Sequence, residues 1–203
     1  MMRAGAHPGI MKVWHKVTRF RSDLRGVAAV EFALIVPILL IMYFVTMEAS
    51  QAVETSKKVG RIGSMVADLV TQQPTITKAD IDAIMRIGTV TLQPYNRSDP
   101  TITVTAVQLT SDATPVAKVV WSRKLVNGVA SAGPTSTTIP ATLNVAGTFL
   151  IRVDSYLGYE PVITWAAGSQ QKLGLITAFD DISMNETYYL RPRRSLTIPC
   201  SDC

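Results

Sequence analysis

A single carboxylate inside a long apolar segment most constrains what this chain can fold into. Residues 27–47 are almost entirely apolar, and Glu31 is their only charged side chain. This stretch of 21 residues is long enough to cross a membrane hydrocarbon core of about 30 Å. An ionised carboxylate at the centre of a bilayer costs roughly 2.5–3.5 kcal/mol. The segment must therefore offer Glu31 a partner or use its charge.

Basic residues are concentrated ahead of this segment. Residues 1–26 contain six of the 20 Lys and Arg residues and one of the 15 acidic residues, so 14 of each remain. The positive-inside rule predicts a cytoplasmic N-terminus and export of the chain after about residue 48. Nucleic-acid binding requires a concentrated cationic face. The neutral remainder offers only a small cluster, interpreted as solvated surface: Arg191, Arg193 and Arg194. We therefore expect no nucleic-acid partner.

The junction between the basic and apolar segments is arranged as in a prepilin. The leader ends at Gly26, and the apolar helix that follows has Glu31 as its fifth residue and Phe32 as its sixth. Over RGVAAVEFALIVPILLIMYFVTMEA the chain resembles the TadE-like family, pilin-like proteins of tight-adherence (Flp-type) pilus systems. Pro37 and Glu48 also match the family pattern. Major Flp pilins typically have Tyr after the Glu, so Phe32 and the large C-terminal domain favour a minor, pseudopilin-type subunit.

The resemblance implies a processed and membrane-anchored subunit. A prepilin peptidase would cut after Gly26 and leave Val27 as the new N-terminus. The new α-amino group has a reference pKa of about 7.7–8.0. Glu31 of one subunit could neutralise the Val27 amine of the next, since both charges need a partner in a low dielectric. An i,i+4 pair within one helix is the alternative, and we favour the pair between subunits.

The predicted function is that of a minor pilin or pseudopilin of a Tad pilus, active in pilus assembly and surface adhesion. Its expected partners are the membrane, the prepilin peptidase, other pilin or pseudopilin subunits and Tad assembly components. Its expected location is the bacterial inner membrane, as a single-pass protein with a cytoplasmic N-terminus and a C-terminal domain in the periplasm or on the cell surface. The alternative is an uncleaved inner-membrane scaffold with a periplasmic binding domain.

A secretory signal peptide is a further alternative, with the small residues at positions 49–52 as its cleavage region. The apolar core of such a signal spans only about 7–15 residues, which is shorter than the segment found here. A secretory signal also has no need for the carboxylate of Glu31. The prepilin interpretation is therefore preferred.

The segment that follows predicts a continuation of the same helix. From residue 49 to residue 70, small and apolar side chains recur at the i, i+3, i+4, i+7 spacing of an amphipathic helix. Pro74 ends the pattern, because the residue before a proline is driven out of the helical region. We therefore predict one helix over residues 27–70, about 66 Å long at 1.5 Å per residue. Its second half should pack on a β-sheet.

The rest of the chain predicts an α+β domain. A capping box from Thr77 to Asp80 begins a short helix through about residue 87, which Gly88 ends. The predicted strands are residues 101–105, 116–126, 149–156, 161–165 and 187–190, with a hairpin turn at Asn127-Gly128. The predicted fold is pilin-like: a long N-terminal helix, with a transmembrane half and an exported amphipathic half, packed on an antiparallel sheet. The predicted domains are a leader (1–26), the helix (27–70, transmembrane over about 27–47) and the exported domain (71–203).

Histidine usage argues against catalysis. The two histidines, His7 and His15, both lie in the leader. The exported domain therefore lacks Ser-His-Asp and Cys-His arrangements and His-ligated metals. The carboxylate pairs are interpreted as solvated turn residues: Asp180 with Asp181, and Asp154 with Glu160. No nucleotide-binding motif occurs. We expect no enzymatic activity, no cofactor and no small-molecule substrate.

The two cysteines lie together as Cys200-Ser-Asp-Cys203. Export would place them in an oxidising compartment, where a local disulfide is expected. A redox motif would need a helix N-terminus after a strand, so we interpret the pair as a clasp. Structural zinc usually takes four ligands, so no metal site is predicted.

Overall fold

The computed structural model of the chain describes residues 26–162 and 182–203. It divides into two compact units, Met1–Met47 and Glu48–Cys203. Residues 1–25, which hold most of the predicted leader and both histidines, lie outside the described residues. So do residues 163–165 of a predicted strand and the Asp180-Asp181 pair.

Helix α1 runs from Val27 to Thr71 without a break and contains Pro37. A single helix here was predicted from the apolar segment and the amphipathic pattern that follows it. Among the described residues α1 is the one helix whose length and composition would allow it to cross a membrane, and none of its most apolar stretch is buried. This single N-terminal apolar helix fits a single-pass membrane protein.

The part of α1 that belongs to the second unit buries one face. Its fully buried apolar side chains are Val59, Ile62, Val66, Ala67 and Val70. From Ala52 onwards the predicted stripe is correct at its apolar positions other than Val53, because they are buried at helical spacing. Two predicted members, Ala49 and Val53, are exposed instead.

Helix α2 spans Lys78–Val90 and begins with the predicted capping box. The Thr77 N–H donates to Asp80 Oδ2 at 3.0 Å, and the Asp80 N–H donates to Thr77 Oγ1 at 3.2 Å. The predicted end at Gly88 is wrong, since the helix continues to Val90. Gly88 is a packing residue: a Cβ there would lie 3.0 Å from Val66 Cγ2. The missing side chain allows close helix packing and does not terminate α2.

A five-stranded antiparallel sheet follows, with the strand order β3-β2-β1-β4-β5. The strands are β1 (Thr101–Leu109), β2 (Ala117–Val126), β3 (Val129–Ala132), β4 (Phe149–Gly158) and β5 (Ser183–Leu190). Asn127 and Gly128 both have positive φ, at 48° and 74°, as a two-residue type I′ hairpin requires. The short strand β3 was not predicted, and Pro161 and Val162 are not in a strand as they were expected to be.

Both helices pack on one face of the sheet. The central strand contributes Ile102, Val104 and Ala106 to this core, and Trp121 on β2 extends it. Gly63 lets α1 approach closely, because a Cβ there would lie 2.8 Å from the Tyr188 ring and 2.9 Å from Ser155 Oγ. The predicted α+β fold, a long N-terminal helix packed on an antiparallel sheet, is confirmed.

We predict that Gly63→Leu lowers the free energy of unfolding by about 1–3 kcal/mol, because the added side chain meets packed atoms of β4 and β5. Urea unfolding of the detergent-solubilised chain measures the change. Lys57→Leu is the matched control, since Lys57 is exposed on the same helix. Equal stability of the two variants would show that α1 does not need this close approach.

Candidate functional site

The predicted processing residues lie at the start of α1. Gly26 precedes the helix, and beyond its immediate chain neighbours no described atom lies within 4 Å of where a Cβ would be. Val27 is the first helical residue and is 47% exposed. No neighbouring element of the described structure covers this junction.

Glu31 and Phe32 lie on the exposed surface of the same helix. Phe32 is 69% exposed, and within residues 26–162 and 182–203 Glu31 has neither a hydrogen bond nor an ion pair. The side chains around it form a continuous apolar surface that includes Val30, Leu34, Ile35, Ile38 and Leu39. Exposed apolar surface on this scale marks contact with lipid or with another chain.

Glu48 has the opposite environment. It directly follows the apolar segment in sequence, and its side chain is fully buried. The Tyr159 hydroxyl donates to Glu48 Oε1 at 2.5 Å, and the Val162 N–H donates to both carboxylate oxygens at 3.1 and 3.2 Å. These donors offset the cost of removing a carboxylate from water.

Tyr159 is well suited to act as the donor. Burial raises the pKa of its hydroxyl, and the hydrogen bond to Glu48 and the negative charge of Glu48 raise the pKa further. Arg97 opposes this shift, because its positive charge favours the phenolate. The net effect keeps the hydroxyl protonated, so that it donates to the carboxylate.

Arg97 extends the network around Tyr159. Its Nε donates to the Glu160 carbonyl at 2.6 Å, and its Nη2 donates to Gln51 Oε1 at 3.3 Å. The guanidinium carbon lies 4.5 Å from the Tyr95 ring centroid and 5.6 Å from that of Tyr159. A cation over stacked aromatic rings gains electrostatic energy that a neutral side chain would not.

The hydrogen bonds of Glu48 have a structural role. The acceptors of Glu48 are used by donors from the chain itself, and together they attach residues 159–162 to the start of the second unit. Sequence analysis found Glu48 only as part of a family pattern. It missed Tyr159, which lies 111 residues away, because no local spacing signals a contact at that distance.

The cysteines are joined by a Cys200–Cys203 disulfide with Cα atoms 5.6 Å apart. The loop they close lies against the beginning of α2: Ile76 forms a parallel bridge with Cys200, and the Lys78 N–H donates to Asp202 Oδ1 at 2.8 Å. The Trp121 indole N–H donates to the Ile198 carbonyl at 2.8 Å in the core. The segment after β5 is thus built into the fold.

Asp154 and Glu160 were interpreted as solvated turn residues. For Asp154 this is wrong, because it lies on β4 and its partly buried side chain forms an ion pair with Arg152 at 2.8 Å. Glu160 follows β4, and its side chain is exposed.

We predict that Glu48→Gln and Tyr159→Phe are coupled by about 1–3 kcal/mol in a double-mutant cycle of unfolding free energies, because a hydrogen bond to a charged group contributes on this order. Because the folded-state pKa of Tyr159 is raised, its contribution is present below the ordinary value of 10.0 and declines at more alkaline pH. In the control cycle Glu54→Gln takes the place of Glu48→Gln, because Glu54 pairs with Lys58 on the surface. Zero coupling at neutral pH would contradict a stabilising role for the Glu48 contact.

Comparison with known proteins finds a family match over the N-terminal part of α1. The family model described as TadE-like protein matches residues 26–59. No curated protein and no solved structure matches the chain. The matched region begins at Gly26 and includes both Glu31 and Glu48. Together with the apolar helix it indicates membrane association and pilus-related partners. The predicted resemblance to the TadE-like family is therefore confirmed over residues 26–59, and this segment points to a pilin-like protein associated with a Tad pilus.

Proposed function

We propose that this chain is a minor pilin or pseudopilin of a Tad (Flp-type) pilus, processed by a prepilin peptidase and retained in the bacterial inner membrane. Its leader (1–26) is cytoplasmic and its helix (27–70) begins in the membrane. Its α+β domain (71–203) lies in the periplasm or on the cell surface. One observation carries the proposal: the apolar surface of residues 27–47 is uncovered within the described structure and contains one charge, Glu31.

The position of Glu31 supports helix assembly. Lipid hydrocarbon can cover the apolar side chains of residues 27–47, but it offers no counter-charge to a carboxylate. Cleavage after Gly26 would create an amine four residues away, at Val27. In a filament, Glu31 of one subunit then neutralises the amine of its neighbour and sets the spacing between subunits.

Small residues beside Glu31 allow a second helix to come close. Ala28, Ala29 and Ala33 surround the carboxylate in sequence, and small side chains at helix interfaces in membranes permit close backbone contact. The short distance strengthens the proposed pair, because the attraction between two opposite charges grows as their separation falls.

The second unit supplies what the filament presents outside the membrane. Its core is a helix-covered sheet, and its Glu48 network and disulfide act within the fold. We assign it adhesion or subunit contact and no chemical turnover, in keeping with the structural character of TadE-like proteins.

We predict that Gly26→Val blocks processing, because a branched side chain at the scissile residue does not fit a tight peptidase site. Intact mass spectrometry of the membrane-extracted protein, from a host with a Tad-type peptidase, measures the N-terminus. Gly9→Val is the matched control, since Gly9 lies in the leader away from the junction. A wild-type chain that keeps its leader in such a host would favour the uncleaved scaffold.

We predict that Glu31→Ala is cleaved and stays in the membrane but forms few pili. Removing the carboxylate makes insertion more favourable, because a charge within the apolar segment opposes it, so lost piliation cannot be attributed to a weaker anchor. Glu31→Asp should lie between wild type and Glu31→Ala, since the charge remains but its reach is shorter. Counts of surface pili and co-purification of subunits are the measurements.

The control for this experiment is Glu54→Ala, which removes an exposed carboxylate from the same helix. Normal piliation with Glu31→Ala would mean that the carboxylate pairs only within its own chain, and the assembly role of this residue would be lost.

A further inference from the structure

The sheet face opposite the helices carries a polar cleft. On β1, Thr103 and Thr105 alternate with the apolar residues that face the helices, and Arg152 on β4 is the register partner of Thr105. The loop after β3 lies over these side chains. The space between them has a volume of about 370 Å³, within the range of small-ligand sites. Its polar lining consists of Thr105, Ser136, Thr137, Thr138, Arg152 and Asp154.

Arg152 is held rigidly at the base of the cleft. Its Nη1 donates to Thr137 Oγ1 at 2.7 Å and to the Thr138 carbonyl at 3.1 Å. Its Nε and Nη2 both donate to Asp154 Oδ1, at 3.0 and 2.8 Å. The guanidinium therefore ties the covering loop to the sheet, and its charge is neutralised by a partly buried carboxylate.

Asp154 has one oxygen that the fold leaves available. Its Oδ1 accepts from Arg152 and also from Thr187 Oγ1 at 2.7 Å. Its Oδ2 accepts no hydrogen bond from the part of the chain that the structure describes. The hydroxyl of Ser136 likewise has no hydrogen-bond partner among those residues. The cleft thus presents a strong acceptor and a hydroxyl on a rigid base.

The charges of the cleft indicate which class of ligand it can bind. The cleft offers an anion no net positive charge, because Asp154 already neutralises Arg152. The cleft offers a metal ion a single carboxylate, which is already paired with Arg152. Hard cations need several oxygen ligands, so this lining does not suit them. An apolar ligand would leave these polar groups without partners at a cost in binding energy. A neutral ligand with neighbouring hydroxyl groups can instead donate to Asp154 Oδ2 and exchange hydrogen bonds with Ser136.

We infer that this cleft binds a neutral carbohydrate. The rigid ion pair beneath it reduces the ordering cost of binding, which matters for a weak and polar ligand. The inference goes beyond the proposed function, which assigns no ligand to the exported domain. It also does not depend on leader cleavage or filament assembly, because the cleft lies wholly within the Glu48–Cys203 unit.

Saturation-transfer NMR on the full chain, in a detergent without sugar headgroups, tests the inference. The probes are the methyl glycosides of glucose, galactose, mannose and N-acetylglucosamine, each observed through its own protons. Sulfate and Ca²⁺, which have no protons to observe, are compared by isothermal titration calorimetry. We expect saturation transfer to at least one glycoside. A preference for the N-acetylated probe would indicate a cell-wall-type glycan, and a preference for the others a hexose-rich surface glycan.

Two variants assign the binding to the cleft. Asp154→Asn should weaken binding by about tenfold or more, because it replaces a charged acceptor. Ser136→Phe should abolish binding by filling the cleft from an exposed loop position, and it keeps the test valid if Asp154→Asn fails to fold. Thr114→Phe is the matched control, in an exposed loop outside the lining.

Three results would overturn the inference. One is no transfer to any glycoside. Another is equal transfer in wild type and Ser136→Phe. The third is binding of sulfate that depends on Arg152, which would identify an anion site.

Discussion

Close packing of α1 on the sheet is the interaction on which the second unit depends. Val59, Ile62 and Val66 are fully buried, and their transfer from water is stabilising, at about 25 cal/mol per Å² of apolar surface. Gly63 permits the short helix-to-sheet distance, and the Ser155 hydroxyl donates to the Val59 carbonyl at 3.1 Å across the contact. The position of α2 follows from this packing, because Gly88 meets α1 directly.

Two glutamates on one helix show how differently a carboxylate can be treated. Glu48 is enclosed by donors from its own chain, and its charge is therefore a matter of internal stability. Glu31 lies among exposed apolar side chains, and the described residues offer it no donor. A charge that the fold does not satisfy has to be satisfied by something outside the fold. This contrast is the physical basis for the proposal that residue 31 acts in assembly and residue 48 in domain stability.

Features with a local physical cause were predictable from the sequence. The capping box at Thr77, the turn at Asn127-Gly128 and the length of α1 each depend on neighbouring residues, and each is present. Gly88 was misinterpreted, because a glycine that ends a helix and one that admits a neighbour look alike in sequence. The partners of Glu48 and the Arg152–Asp154 cleft could not be predicted, since they depend on strand register and on contacts across the fold. The short strand β3 carries too few residues for a period-two pattern to stand out.

The bridge between Ile76 and Cys200 has a consequence for how the domain is held closed. All five strands lie between these two residues in the sequence, so the bridge closes the whole sheet-forming segment into one loop. Arg193 adds a second such contact, since its N–H donates to the Thr71 carbonyl at 2.9 Å where α1 ends. The segment after β5 thus supplies hydrogen-bond partners to the end of α1, to the start of α2 and to the indole of Trp121. Local opening of this segment would expose those polar groups together and make the domain a target for proteolysis.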